Sequence, residues 1–423
     1  MKSTFSFMTG NVLVLTVCRI IFTMSQSLAG PYFSLFVLAL GGTVQDIGMI
    51  TALGGIAGLI FYPLGGYVAD MKGRVKLVGF STFAYAVSYF FYAAAWSWQT
   101  LALGVFIQQL VLFYMPALNA IMADSLPVKL RGIGYATTNM IPSTIGIIIP
   151  YIGGLLIDKV FMGDVVPAMR LSYTISGILG FLVAVIRLKG LKETMDVGDK
   201  KGVTLGEIPG LLKQSYLGIA ETLKWFSKTL RSVAVVQMII TFSAALAGPY
   251  WIVRANKVVG LSVYDFGVLT LLAGAFNLML SIPMGRLIDR FGPRKIILVT
   301  SAISPIACLL FPFCTSFTEM LVVTLLLAVF NSATPNAFTA LMVGHIPVSK
   351  RGRVFSLIGG SPGVQFGGIW MDGVLLFISG TLGSFLGGFI YAFDSRIPWF
   401  ILSVALVCCT IFTAKYIKDP QKT

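Results

Sequence analysis

Charge is what this 423-residue chain has least of: 11% of its residues are Asp, Glu, Lys or Arg, against 57% hydrophobic. A soluble chain carries about 25% charged residues to cover its surface, so an ordinary soluble protein is excluded. Histidine occurs once and acidic residues number only 16. That leaves too little material at any one depth for the acid, base and nucleophile constellation of a membrane enzyme, and neither a metal nor a cofactor is expected. The five cysteines, Cys18, Cys308, Cys314, Cys408 and Cys409, all sit in apolar runs, and no pair flanks an exterior loop. They read as small buried hydrophobes rather than disulfide partners. A small-residue cleavage site is also missing after the first apolar run, so that span is expected to be retained.

Long hydrophobic runs, by contrast, are abundant. They fall at about 11–40, 45–69, 75–96, 99–123, 132–157, 168–187, 232–256, 264–288, 295–315, 318–343, 353–393 and 397–417. A bilayer-spanning helix needs roughly 20 such residues. In lipid each backbone polar group must be satisfied within its own segment, so these runs predict helices. The expected fold class is an all-α polytopic membrane protein of twelve transmembrane helices.

The 31 basic residues set the orientation. On the side shared by both termini lie 25 of them; Lys159, Arg170, Arg254, Lys257 and Arg396 lie on the other, and Arg19 is inside the first span. The positive-inside rule then predicts cytoplasmic N- and C-termini in a multi-pass protein of the cell membrane. The net charge of +15 becomes a matter of orientation and attraction to an anionic inner leaflet, with no nucleic-acid partner.

The chain also repeats itself at an offset near 219. Leu28-Ala29-Gly30-Pro31-Tyr32 recurs as Leu246-Ala247-Gly248-Pro249-Tyr250, and Asp46 with Gly48 recurs as Asp265 with Gly267. Gly66-x-x-x-Asp70-x-Lys72-Gly73-Arg74-x-Lys76 is answered by Gly285-x-x-x-Asp289-Arg290-x-Gly292-x-Arg294-Lys295, and Pro127-x-x-x-Arg131-Gly132 by Pro347-x-x-x-Arg351-Gly352. Landmarks in one order at one offset indicate a parallel duplication into two six-helix bundles. The expected division is 1–187, a cytoplasmic linker 188–231, and 232–423. Within the linker, Ile208, Leu211, Leu212, Ile219, Leu223, Phe226 and Leu230 recur at helical spacing with Lys213, Lys224 and Lys228 between them. This predicts an amphipathic helix on the inner leaflet.

The twice-occurring Gly-x-x-x-Asp loop with its Gly and basic residues resembles the signature of the major facilitator superfamily of secondary transporters, over essentially the whole chain. The resemblance implies two pseudo-symmetric six-helix bundles and a cytoplasmic gate. Carried over residue by residue, the gate comprises Asp70, Lys72, Gly73, Arg74, Asp124 and Arg131 in the first half, and Asp289, Arg290, Gly292, Arg294 and Arg351 in the second. Charge-assisted hydrogen bonds from such groups are roughly twice as strong as neutral ones, and Gly lets the chain reverse sharply. Where Asp124 stands in the first half the second has Gly344, followed by the lone His345.

Intramembrane ionisable groups are functional by default. Arg19 and its repeat counterpart Gln237 are expected to face each other across the central cavity, with Gln108, Asn119, Asn277, Asn331 and Gln365 as further cavity polars. A guanidinium at Arg19 suits an anionic or carbonyl-bearing solute. The eleventh run is too long: from Arg351 to Asp394 one helix would span roughly 65 Å, about twice the hydrocarbon thickness. About fourteen extra residues, including Gln365 and Asp372, therefore interrupt it. Asp372, on that insert, is the candidate proton-coupling carboxylate. Together these features predict alternating-access transport of a small molecule by a monomer in the lipid bilayer, with protons as coupling ion. Export of hydrophobic or amphipathic compounds comes first; the alternative is uptake or facilitated transport of a small organic anion.

Overall fold

The computed structural model describes residues 7–61, 73–127, 130–194, 208–346, 354, 357–359 and 373–419. Among these, eleven helices are long and apolar enough to cross a membrane. They are α1 (Gly10–Ala39), α2 (Val44–Phe61), α4 (Trp98–Ser125), α5 (Ile133–Val160), α6 (Val165–Gly190), α7 (Lys228–Lys257), α8 (Val263–Phe291), α9 (Pro293–Phe313), α10 (Phe317–His345), α11 (Val374–Phe393) and α12 (Ile397–Tyr416). The remaining member of the array, α3 (Arg74–Ala93), is the more polar one, carrying Ser81, Thr82, Tyr85, Ser88, Tyr89 and Tyr92 on its buried face. Hydroxyl-bearing faces suit helix contacts in lipid, where apolar burial alone does not drive association.

Helix starts follow the capping chemistry of the sequence. At the bundle end away from the termini, Ser97 and Thr100 form a reciprocal capping box on α4, and Ser262 with Asp265 forms another on α8. Ser316 caps α10, Asp164 caps α6, and Asp46 accepts from the Thr43 N–H and hydroxyl ahead of α2. Each satisfies an amide that the first helical turn leaves unpaired. At the other end α3 and α9 have no such side chain of their own. The Val75 N–H instead donates to Glu193 beyond α6 at 3.1 Å, and the Arg294 N–H donates to Asp419 beyond α12 at 2.9 Å. The duplication therefore extends to caps borrowed from the segment that follows each bundle's last helix.

In the first half α3 packs along α6 and α1 along α6 and α5; in the second, α8 and α9 flank α10 while α12 packs on α7 and α9. A ring trio of Trp251, Phe311 and Trp399, with centroids 4.1 to 4.4 Å apart, fills the second half's interior near the end away from the termini.

Several sequence expectations are corrected. The linker helix is real but ends at Trp225; Leu230 belongs to α7, which starts at Lys228. Cys408 is exposed rather than buried. Arg187 and Arg254, placed by sequence among the topology-setting charges, are only 3% and 4% exposed. The eleventh span is broken as expected: Gly359 and Gly373 both take positive φ, +80° and +104°. They also touch, since a Cβ on Gly373 would lie 2.4 Å from the Gly359 nitrogen. Gln365 and Asp372 lie outside the described residues.

Candidate functional site

The two halves are sealed together at the end away from the termini by backbone-level contacts. Ser34 donates to the Pro249 carbonyl at 2.6 Å and Tyr250 to the Val44 carbonyl at 3.2 Å. The Tyr264 N–H donates to Asp158 at 2.6 Å. Glycine makes this approach possible. A Cβ on Gly48 would meet the Ser384 carbonyl at 2.5 Å, one on Gly154 the Val263 carbonyl at 2.8 Å, and one on Gly388 the Gln45 Cα at 2.9 Å. The repeated Gly-Pro-Tyr segments fold as matching 3-10 turns, Gly30–Tyr32 and Gly248–Tyr250. Their tyrosines insert into the seam, Tyr32 bonding the Pro150 carbonyl beside Gly267. Sequence reasoning found this repeat but gave it no role; two copies of an aromatic on a Gly-Pro turn were the available signal.

Away from the seal the halves behave unequally. Along α2 and α11 contact continues from Gly48 against Ser384 to Gly58 against Phe377. On the opposite flank α8 packs on the later part of α5, with Ile147 against Gly274. Beyond that point α8 carries exposed side chains, Met279 74% and Ile282 57%. Among the described residues α1 and α7 make no extended contact with each other.

Arg19 stands on the inner face so left open. It is exposed and donates to the Asn139 amide oxygen on α5. Asn119 is exposed on α4 as well. Gln237 does not line this opening: it is fully buried, with its amide directed at the Met342 sulfur 4.0 Å away. Apolar surroundings on α7 gave no hint of which face was covered. Gln108 links α4 to α3, accepting from Tyr92 at 2.8 Å and donating to Ser88 at 3.0 Å. Asn277 donates to the Ala328 carbonyl at 3.4 Å between α8 and α10, and Asn331 is half-buried on α10. Gln108 and Asn277 thus act as bonds between helices of one half.

At the terminal end, Arg74 pairs with Asp124 at 2.5 Å and also donates to Thr194 at 3.2 Å. Gly73 and Gly292 share a positive φ, +82° and +87°, the reversal that the repeated motif requires. Arg294 also donates to the Ala414 carbonyl at 2.5 Å. Asp289 and Arg290 are exposed at the end of α8, and Arg290 lies 5.2 Å over the Phe291 ring. His345 bonds the Leu341 carbonyl of its own helix at 2.9 Å. Asp70, Lys72 and Arg351 lie outside the described residues, as does the side chain of Arg131.

Among the described residues, a seam closed at one end, first and seventh helices without extended contact, and a polar patch on the first helix fit the geometry of a carrier. The family profile described as Major Facilitator Superfamily matches residues 15–232 and again 233–423. The chain belongs to the major facilitator superfamily. It is therefore a transporter and not an enzyme. An uncharacterised MFS-type transporter of Methanocaldococcus jannaschii is 23% identical over 353 residues, 82% of this chain and 86% of that one. The multidrug resistance protein MdtG of Proteus mirabilis is 24% identical over 339 residues, 78% and 80% respectively. Among solved structures, a bacterial homologue of the human lysosomal transporter Spinster, inward-facing and occupied, superposes with a TM-score of 0.69 at 15% identity, covering 95% of each chain.

Proposed function

We propose that this protein is a monomeric secondary transporter that exports hydrophobic or amphipathic compounds by alternating access, with the terminal end cytoplasmic. The observation that carries the reading is the seal at one end combined with parted helices at the other. In this reading the exposed apolar side chains of α5 and α8, such as Met140, Met279 and Ile282, would form the wall, with Arg19 as its cationic group. Such a wall favours molecules with an apolar body, since each buried CH₂ is worth about 0.8 kcal/mol. The kinship with multidrug resistance proteins named MdtG supports export over uptake.

Coupling to protons at Asp372 belongs to the same reading. A carboxylate that is protonated on one side of the cycle and ionised on the other lets proton flow drive the solute uphill. The test is flux in proteoliposomes of an amphipathic fluorescent dye under an imposed pH gradient. Concentrative, protonophore-sensitive movement is expected from the wild type, and only downhill movement from Asp372→Asn. Failure of the wild type to move the dye at all, across a panel of amphiphiles, would overturn export.

A further inference from the structure

Arg19 is one of two arginines on the same turn of the first half. Helices α1 and α6 run antiparallel, with Ser25 and Ser176 exchanging hydrogen bonds to each other's carbonyls at 3.3 and 2.8 Å. Cys18 lies against the Val183 carbonyl at 4.0 Å. This register sets the Arg187 backbone about one turn nearer the terminal end than Cys18. A helical side chain leans toward its helix N-terminus, and Arg187 follows that rule: its guanidinium climbs to lie 6.0 Å over Phe22 and 5.6 Å over Tyr114. It donates to the Thr82 hydroxyl at 2.7 Å and to the Tyr114 hydroxyl at 3.5 Å, while its Nε, buried, has no partner.

Arg187 therefore sits inside the bundle beside the level of Arg19, which stands at the bundle's edge on Asn139. Their partners are neutral groups: an amide oxygen, two hydroxyls, the Cys18 thiol and aromatic faces. The ion pairs among the described residues are Arg74 with Asp124 and Arg396 with Asp394, so neither arginine meets a carboxylate there. Two cations at one depth in a low-dielectric bundle are costly without an opposite charge, and they polarise the site toward one.

We propose that the molecule held in the open cavity carries an anionic head, a carboxylate, sulfonate or phosphate, bound directly by Arg19. Arg187 acts behind it as a positioning residue that supplies positive potential without touching the ligand. This deepens the export reading and rests on it: the substrate class becomes amphipathic anions, the tail lying along the apolar wall of α5 and α8. The same head chemistry belongs to free amphiphiles and to anionic lipids, and the two sources are separable by experiment.

The experiment is equilibrium binding of 11-(dansylamino)undecanoic acid and its methyl ester, read by dansyl fluorescence, to purified full-length protein in nanodiscs of zwitterionic lipid. The wild type is expected to bind the acid at least tenfold more tightly than the ester. Arg19→Gln removes that preference, Arg187→Gln reduces it, and Arg187→Lys retains it, which a purely structural role for Arg187 would not produce. Thermal unfolding of each variant verifies the fold. Repeating the titration in discs containing phosphatidylglycerol assigns the source: weakened acid binding identifies a lipid head as the occupant, and unchanged binding identifies a free amphiphile. Equal affinity for acid and ester, or a preference that survives Arg19→Gln in a folded protein, overturns the proposal. Binding at equilibrium requires no transport, so a protein that binds but does not move the dye refutes export alone.

Discussion

Replacing Gly48 by alanine should tip the carrier toward the state in which its sealed end is open. The added Cβ would lie 2.5 Å from the Ser384 carbonyl, 3.0 Å from the Gly388 nitrogen and 3.0 Å from the Tyr250 hydroxyl. All three belong to the second half, so separation of the halves relieves these clashes together. Overpacking of this kind costs about 1–3 kcal/mol. With the seal bearing about 2 kcal/mol, the ratio of sealed to open molecules falls roughly 30-fold. Spin labels at Val160 and Val258, exposed positions in opposite halves at that end, report the change in a Cys408→Ser background that removes the exposed native thiol. The wild type should give a short distance, and Gly48→Ala a second, longer population. Gly285→Ala, with nothing within 4 Å of the new Cβ, is the control expected to leave the distribution unchanged. An unaltered distance in folded Gly48→Ala protein refutes the reasoning. Gly388→Ala should act in the same direction, but not additively, because the two sites share neighbours.

Other perturbations follow from the same geometry. Gly373→Ala places a Cβ against the Gly359 backbone at a φ of +104°; it should lower stability by about 2 kcal/mol or more in thermal unfolding, and near-neutrality would show that the chain does not close on itself there. Asp124→Asn removes the charge that faces Arg74 and should slow transport while leaving the dye affinity within about twofold; an unchanged rate counts against a gating role. Arg396 and its own N–H hold Asp394 below the usual carboxylate range. Its contribution to stability is present above about pH 3.9 and lost as the pH falls through the depressed folded value, so Asp394→Asn should flatten the acid limb of the stability profile.

Much of this architecture is written in local chemistry. The glycines at 73 and 292 announce their reversals because no other residue tolerates that backbone well, and the excess length of the eleventh span announces its break because a helix has a fixed rise. The direction a side chain faces is a different matter. In a soluble helix polar residues mark the outer face, but here the face toward lipid and the face toward protein are both apolar, so the periodicity that would separate them is erased. Gln237 was accordingly expected in the cavity and lies buried against Met342. Arg187, three residues from the end of its helix, reads as a topology charge until the antiparallel register with α1 shows it folded back into the bundle. The seal tyrosines were visible as a repeat, but their partners lie in the opposite half, and only tertiary structure joins them.

The most direct test of alternating access is the reactivity of a cysteine at position 139, beside Arg19, toward a membrane-impermeant maleimide applied to either face of oriented vesicles, in the Cys408→Ser background. Labelling from the terminal side alone in otherwise wild-type protein, with added labelling from the opposite side in Gly48→Ala, is the expected result. Equal labelling from both sides of the otherwise wild-type protein would mean a continuous pore, and would contradict a carrier that opens to one side at a time.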